Sequence, residues 1–212
     1  DTQARTDFVN MQYQLQGLVL DITAHMAGLP NGQVALQITA DGSADLKQES
    51  LSLDRFVLAL DQDVASGALH VKSFTQPNVR FVLSSKELNL DRWLATDEPV
   101  ETAVQTKSDD LIVLPTEMLR SLNLLGEIDV AKLNISGLSL ENLKSKLTAK
   151  SGVLEIQQLD ADFYQGHINA QAKLDVSKSR PSYVASSILK DIQLAPLMRD
   201  AMATKKPMLR GV

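Results

Sequence analysis

His25, His70 and His167 are the side chains in this sequence best suited to move a proton or hold a metal near neutral pH. They lie far apart, and none has a second ligand at a useful spacing, so each reads as a solvated strand residue rather than a base or ligand. Asp160 and Asp162 alternate with Leu159 and Ala161. That pair could contribute to a cation site, but the EF-hand pattern is absent and a solvated sheet face is the better reading. The scattered serines lack a nucleophile-elbow motif, and no Gly-rich phosphate loop occurs. With no cysteine, thiolate metal sites and disulfides are excluded. The expectation is a protein that is not an enzyme, with no catalytic site, no cofactor and no metal.

Composition narrows the partners. The net charge is −5, and basic residues do not cluster, which argues against a phosphate-backbone binder and so against nucleic acid. Aromatics make up only 4% of residues, too few for stacking on bases or sugars, or for the girdles of a transmembrane barrel. No apolar run approaches the roughly 20 residues of a membrane-spanning helix, and no signal peptide is visible. The chain opens at Asp1 without methionine and stops at Arg210-Gly211-Val212, where another strand is expected to start. We read it as a piece of something longer, with any anchor or signal outside it.

Alternation of apolar and polar residues dominates the rest. In the stretch from Gly152 to Val176, residues Ile168, Ala170, Ala172, Leu174 and Val176 share one parity, while His167, Asn169, Gln171, Lys173 and Asp175 share the other. Successive strand side chains point to opposite faces, so one face is apolar and the other solvated. Tyr164-Gln165-Gly166 reads as the hairpin turn before this strand. Similar strands are expected near 11–24, 34–40, 51–60, 68–74, 79–90, 126–135, 138–150, 152–163 and after Pro181, with Asp41-Gly42, Ser66-Gly67, Gly137 and Ser151-Gly152 as turns or breaks. Parity switches at Gly17, at Ala131-Lys132 and at Gln157-Gln158, which calls for a bulge at each place to keep the apolar set on one face.

Three segments follow: an N-terminal β part, 1–94; an acidic linker or long loop, 95–110, without sustained period; and a C-terminal β region, 111–212, cut short at its end. The linker should be the most mobile internal segment. Pro115 and Pro196 each open a short helix. Residues 81–94 and 184–198 line up, Leu88 with Ile192, Leu90 with Leu194, Trp93 with Leu197 and Leu94 with Met198, which suggests repetition of one strand-to-helical-turn unit. The fold class is therefore mainly β: a long, curved, largely antiparallel sheet with a few short helices, forming an apolar groove or an open sandwich built from repeated strand units.

Several ordered features resemble the C-terminal region of the AsmA family of Gram-negative bacteria. They are Leu114-Pro115 ahead of a helix ending near Leu122, Leu125-Gly126 into a strand, Ser136-Gly137-Leu138, Ala149 to Leu154, Phe163-Tyr164-Gln165-Gly166, Leu194-Ala195-Pro196-Leu197 and Leu88 to Leu94. They cover most of 79–198. Where family members often carry Tyr-Gly-Gly, this chain has Tyr164-Gln165-Gly166. The resemblance implies an inner-membrane-anchored protein, held by a segment outside this sequence, with its bulk in the periplasm and a role in outer-membrane biogenesis. It also implies kinship to bridge-like lipid-transfer proteins, whose curved sheets form a trough for acyl chains.

Periodicity alone favours the ordinary reading of such apolar faces, packing against a second sheet or helices. The resemblance favours a lipid trough for phospholipid or another acyl-chain lipid. The alternative is a protein-interaction module acting on outer-membrane assembly partners. The candidate groove-lining residues are Ile128, Val130, Leu133, Ile135, Leu147, Ile168, Ala170, Ala172 and Leu174.

Overall fold

The alternating stretches form long strands, and most strands pair with the next one along the chain. The computed structural model describes residues 3–7, 9–25, 33–92, 120–178 and 180–203. In chain order the strands are β1 (Gln3–Asp7), β2 (Gln12–His25), β3 (Gln33–Asp45), β4 (Ser50–Leu60), β5 (Asp63–Lys72), β6 (Asn78–Ser85), β7 (Leu88–Asn89), β8 (Asn123–Ile135), β9 (Leu138–Lys150), β10 (Val153–Phe163), β11 (Gly166–Asp175) and β12 (Ser182–Lys190). A 3-10 turn spans Leu90–Arg92, and helix α1 spans Leu194–Ala203. The acidic stretch 95–110 and the expected helix up to position 119 lie outside the described residues.

All twelve strands belong to one open, curved sheet, in the order β1-β2-β3-β4-β5-β6-β8-β9-β10-β11-β12, with β7 also on β8. Pairing is antiparallel throughout except at β8, which lies parallel to β6, from Asn78↔Asn123 to Ser85↔Val130, and to β7. The sheet thus runs without a break from the first half of the chain into the second. The long-range contacts run chiefly between ladder neighbours, with β7 also against β5, α1 against β9 and the 3-10 turn against β8. Among the described residues no second layer faces the sheet.

Two of the expected bulges are true register shifts. Between β2 and β3 the register slips between Leu15 and Leu18, and Gly17 takes a positive φ of 61°. Its amide donates to the carboxylate of Asp41 at 2.9 Å. That bond, and then Arg55 at 2.9 Å, hold the Asp41 carboxyl below its usual range. In β10 the register slips at Gln157-Gln158 against both neighbours. Ala131 behaves differently. The β8–β9 register does not shift; Ala131 and its opposite number, Asn142, leave the ladder together, and Asn142 adopts a φ of 52°. Both strands change parity at one rung, so the apolar face survives without an extra residue.

Two glycine pairs expected as turns are strand interior. Asp41-Gly42 lies within β3, and Ser66-Gly67 within β5. Neither glycine has a left-handed backbone; each is there for close approach. A Cβ on Gly42 would overlap the Ser52 carbonyl oxygen, and one on Gly67 the Val82 carbonyl oxygen. Residues Gln3–Asp7, outside the strands expected from periodicity, supply β1.

The hairpin turns at Ser136-Gly137, Ser151-Gly152 and Tyr164-Gln165 each carry two successive positive φ values, the signature of a two-residue turn whose twist matches the strands. Tyr164 (46°) and Gln165 (63°) hold that conformation without glycine. The turn is tied down by the edge-to-face stack of Phe163 on Tyr164, with ring centroids 4.6 Å apart, and by the Tyr164 hydroxyl donating to Asp200 of α1 at 2.9 Å. Burial, and then the Asp200 carboxylate, push the Tyr164 phenol's pKa up. A left-handed residue with a Cβ costs about 1–2 kcal/mol, partly offset by the chain entropy of glycine. Gln165→Gly is therefore expected to stabilise the protein by about 0.5–1 kcal/mol. A thermal midpoint that stays put or falls would show that the turn is relaxed as it stands.

Candidate functional site

The registers place the apolar residues of successive strands in rungs across the sheet. One rung reads Leu15, Gly42, Leu53, Leu69, Phe81, Gly126, Leu147, Ile156, Ala172 and Ala185 from β2 to β12. The next reads Leu18, Ala40, Phe56, Gly67, Leu83, Ile128, Ser145, Leu159, Ala170 and Ser187. Every member is apolar or small, and none is charged. Across these ten strands, spaced about 4.8 Å apart, the face extends roughly 43 Å along its arc.

Large and small residues alternate along these rungs. The Phe81 ring lies over Gly126, and the Phe56 ring reaches Gly67, with Cζ 3.2 Å from where a Cβ would sit. Aromatic cover of strand glycines of this kind keeps the face apolar where the side chain is missing. Towards β12 the small residues win. Ala170, Ala172, Ala185 and Ser187 form a shallow floor on the paired strands β11 and β12.

The opposite face is polar. It carries ion pairs between Lys146 and Glu127 at 3.5 Å and between Lys173 and Glu155 at 2.9 Å, all exposed and so worth little in stability. His167 sits between Asp160 and Asp162, 3.6 Å from each. The Asp160 carboxyl is held low by Asn169, which donates at 2.6 Å, and by Gln158; that of Asp162 is held low by Asn142 at 2.8 Å. Among the described residues no cluster of histidines and acids fits a metal ion. A surface depression of about 340 Å³ edged by Glu127, Asp129, Lys144 and Asp160 is on this polar face, and another lies between the Tyr164-Gln165 turn and α1. The first is a trough between rows of charged side chains.

The nine candidate residues fall on the apolar face, in two environments. Ile128 stands between Leu83 and Ser145, Val130 between Ser85 and Leu143, Leu133 between Leu88 and Leu140, and Ile135 beside Leu138. Leu147 stands between Gly126 and Ile156, Ile168 between Ala161 and Leu189, Ala170 between Leu159 and Ser187, Ala172 between Ile156 and Ala185, and Leu174 between Leu154 and Tyr183. Val130, Leu143 and Ala161 are buried together, with Leu88, Ile128, Leu133, Leu140, Leu159 and Ile168 packed on them. At that end the face is a solid core. Leu147, Ala170, Ala172 and Leu174 lie outside that cluster and are only half-buried.

Beside the core, a polar latch turns the chain across the end of the sheet. The buried Asp63 accepts the Asn89 amide at 2.9 Å and faces Arg92 at 3.7 Å, and Asp91 accepts the Gly137 amide at 2.9 Å. Helix α1 adds little cover: Leu194, Met198 and Met202 point outward, 68%, 52% and 64% exposed. The part of the face built by β2 to β6, with Leu53, Leu69, Phe81 and Leu83, was not among the sequence candidates. The signal was there in the same period-two alternation.

No helix among the described residues is long and apolar enough to cross a membrane. No curated protein and no solved structure matches the chain significantly. The family model for AsmA matches residues 1–211. That family is non-enzymatic, typically associated with the cell envelope, and its membership is consistent with outer-membrane biogenesis or lipid transport in general. With the match spanning the first half of the sheet as well as the second, the chain belongs to the AsmA family.

Proposed function

We propose that this chain is the lipid-handling part of a periplasmic protein, anchored to the inner membrane by a segment outside this sequence, and that it shields phospholipid acyl chains on its apolar sheet face. The observation that carries the reading is the pair of uncharged apolar rungs spanning β2 to β12 with no second layer over them among the described residues. A monomeric protein rarely leaves so wide an apolar surface to water unless something binds there. Strands of eight to fourteen residues, about 26–48 Å long, run beside one another from β2 to β12. Acyl chains need apolar contact and no specific polar partner, and the face offers that.

Leu147, Ala170, Ala172 and Leu174 are the residues assigned to direct contact with lipid, and Ile135 lies at the margin. Ile128, Val130, Leu133 and Ile168 hold the packed end in shape. The fitting role is in outer-membrane biogenesis, with outer-membrane assembly proteins as further partners.

The test is Ala170→Asp. Ala170 is half-buried on the shallow floor, so in lipid-free protein the carboxylate reaches water and costs about 1 kcal/mol. Uptake of a fluorescent fatty acid or phospholipid by delipidated protein is expected to fall steeply. Gln171→Glu, on the polar face, should leave melting and uptake unchanged. Mass spectrometry of lipids carried through purification gives the native occupant. Unfolding by Ala170→Asp, together with no lipid bound by the unaltered protein, would overturn the reading and leave a packed interaction module.

A further inference from the structure

The sequence spreads its cations, but the β5–β6 register gathers three of them. His70 stands opposite Arg80, and Lys72 opposite Asn78. Leu69, Val71, Val79 and Phe81 between them take the apolar face, so these four side chains share the polar one. Four such positions in an antiparallel pair form a square, about 5 Å across and about 7–8 Å on the diagonal. Their side chains line a depression of about 370 Å³, and among the described residues its lining holds no carboxylate. The flanking positions are uncharged too: Ser50 and Ser52 on β4, and Asn123 and Leu125 on β8.

On the strands β8 to β11 the same face sets cation against acid. Glu127 opposes Lys146, Lys144 lies between Asp129 and Asp160, and Glu155 opposes Lys173. Lys72 and Arg80, by contrast, have no ion-pair partner among the described residues. Two cations so placed repel each other, and an anion between them removes the repulsion. Asp54 is tied to His70 through Ser52. The Ser52 hydroxyl donates to Asp54 at 2.8 Å, so its oxygen accepts the Nδ1–H of His70 at 2.9 Å. That relay fixes the tautomer. It leaves Nε2 as the nitrogen that changes, a lone pair in neutral His70 and an N–H donor once the ring is protonated.

From this square of donors we propose that His70, Lys72, Asn78 and Arg80 bind a single phosphate group, carried by soluble phosphate or by a phospholipid headgroup. The arginine and lysine supply charge-assisted hydrogen bonds, and the Asn78 amide a neutral one. Protonated His70 adds a third charge. The site takes one phosphate and not a polyanion, because the next rung outward on these strands is Ala68 and Val82, followed by Ser66 and Ser84. It lies on the face opposite the acyl-chain surface, so neither reading depends on the other. Asp54, through Ser52, favours the charged form of His70, while Lys72 and Arg80 oppose it; Arg55, also on β4, is held by Asp41 at 2.9 Å. A bound dianion offsets that opposition, so binding and protonation of His70 reinforce each other.

The test is an NMR titration of the lipid-free 212-residue chain with inorganic phosphate at constant ionic strength, read at the ring protons of its three histidines. The His70 signals, assigned with His70→Gln, should shift saturably. Those of His167, which sits between Asp160 and Asp162, should stay put. Sulfate, a dianion on both sides of the histidine range, should bind about tenfold tighter at about pH 5.5 than at about pH 8. Lys72→Gln and Arg80→Gln should each weaken phosphate about tenfold and leave melting unchanged, since both side chains are exposed. Flotation with vesicles of phosphatidylglycerol and phosphatidylcholine assigns the source. Capture that both substitutions abolish makes a lipid headgroup the donor, and any other result leaves soluble phosphate. No saturable shift at His70, a shift shared equally by His167, or one that survives both substitutions would overturn the proposal.

Discussion

Val130→Asp is expected to unfold the protein. Val130 is 1% exposed, among the most deeply buried of the described side chains, and packs with Leu143 and Ala161 where β8, β9 and β10 converge. A carboxylate there would have no cation within the cluster. Ser85, its neighbour on β6, is already engaged with the carbonyls of Val64 at 2.6 Å and Glu87 at 3.0 Å. An unpaired buried charge costs several kcal/mol, comparable to the whole stability of a typical domain, about 5–15 kcal/mol. Val130→Ala should cost less, about 2 kcal/mol, as lost methyls and residual cavity. Circular dichroism and a denaturant melt check both. A folded Val130→Asp with a normal midpoint would mean that this end of the sheet is wet, contrary to the packing described. The contrast with Ala170→Asp is informative, because the same carboxylate on the same sheet face should be lethal to the fold at one end and tolerable at the other.

That division could not be read from period-two alternation. Alternation reports which face a residue takes, and the face came through for every sequence candidate from Ile128 to Leu174. It carries no information on what lies above that face. Val130 and Ala170 have the same periodic signature, yet one is sealed by Leu143, Ala161 and the turn beginning at Leu88, and the other is not. Leu88 reaches the cluster because β7 lies parallel to β8, a pairing between segments 45 positions apart (Leu88↔Leu133). Non-local pairing of that sort leaves no local pattern. The bulges were legible at Gly17 and Gln157 because a single extra residue flips the parity on one strand. At Ala131 the flip is shared with Asn142, so the sequence shows the switch but not the preserved register. The glycines misled for a physical reason. Gly42 and Gly67 follow Asp and Ser, as turn glycines do, but the demand on them is steric and comes from Ser52 and Val82 on other strands.

Gly67→Ala is the second change expected to do severe damage, and Gly126→Ala its calibrated counterpart. Both glycines stand in the rungs of the apolar face, on β5 and β8, and neither has a positive φ, so the backbone itself accepts alanine. The difference is what the new methyl meets. At Gly67 it would overlap the Val82 carbonyl oxygen and come within 2.9 Å of the carbonyl carbon, both fixed in the β5–β6 ladder, with the Phe56 ring 3.2 Å away on the other side. Nothing can rotate aside, so the strands must part, and the expected loss is about 3 kcal/mol or more. At Gly126 the nearest atoms the methyl meets are those of the Phe81 ring, which can swing off the sheet about its side-chain torsions. That should cost about 1–2 kcal/mol and push an aromatic ring into the space above the face. Shortening the obstacle with Phe81→Leu should then recover much of the loss in the Gly126→Ala background, a coupling a double-mutant cycle would read directly. Phe81→Leu should recover nothing at Gly67, since the clash there is with backbone. Equal destabilisation by the two alanines, or equal rescue by Phe81→Leu, would show that the two glycines serve chain flexibility rather than close approach.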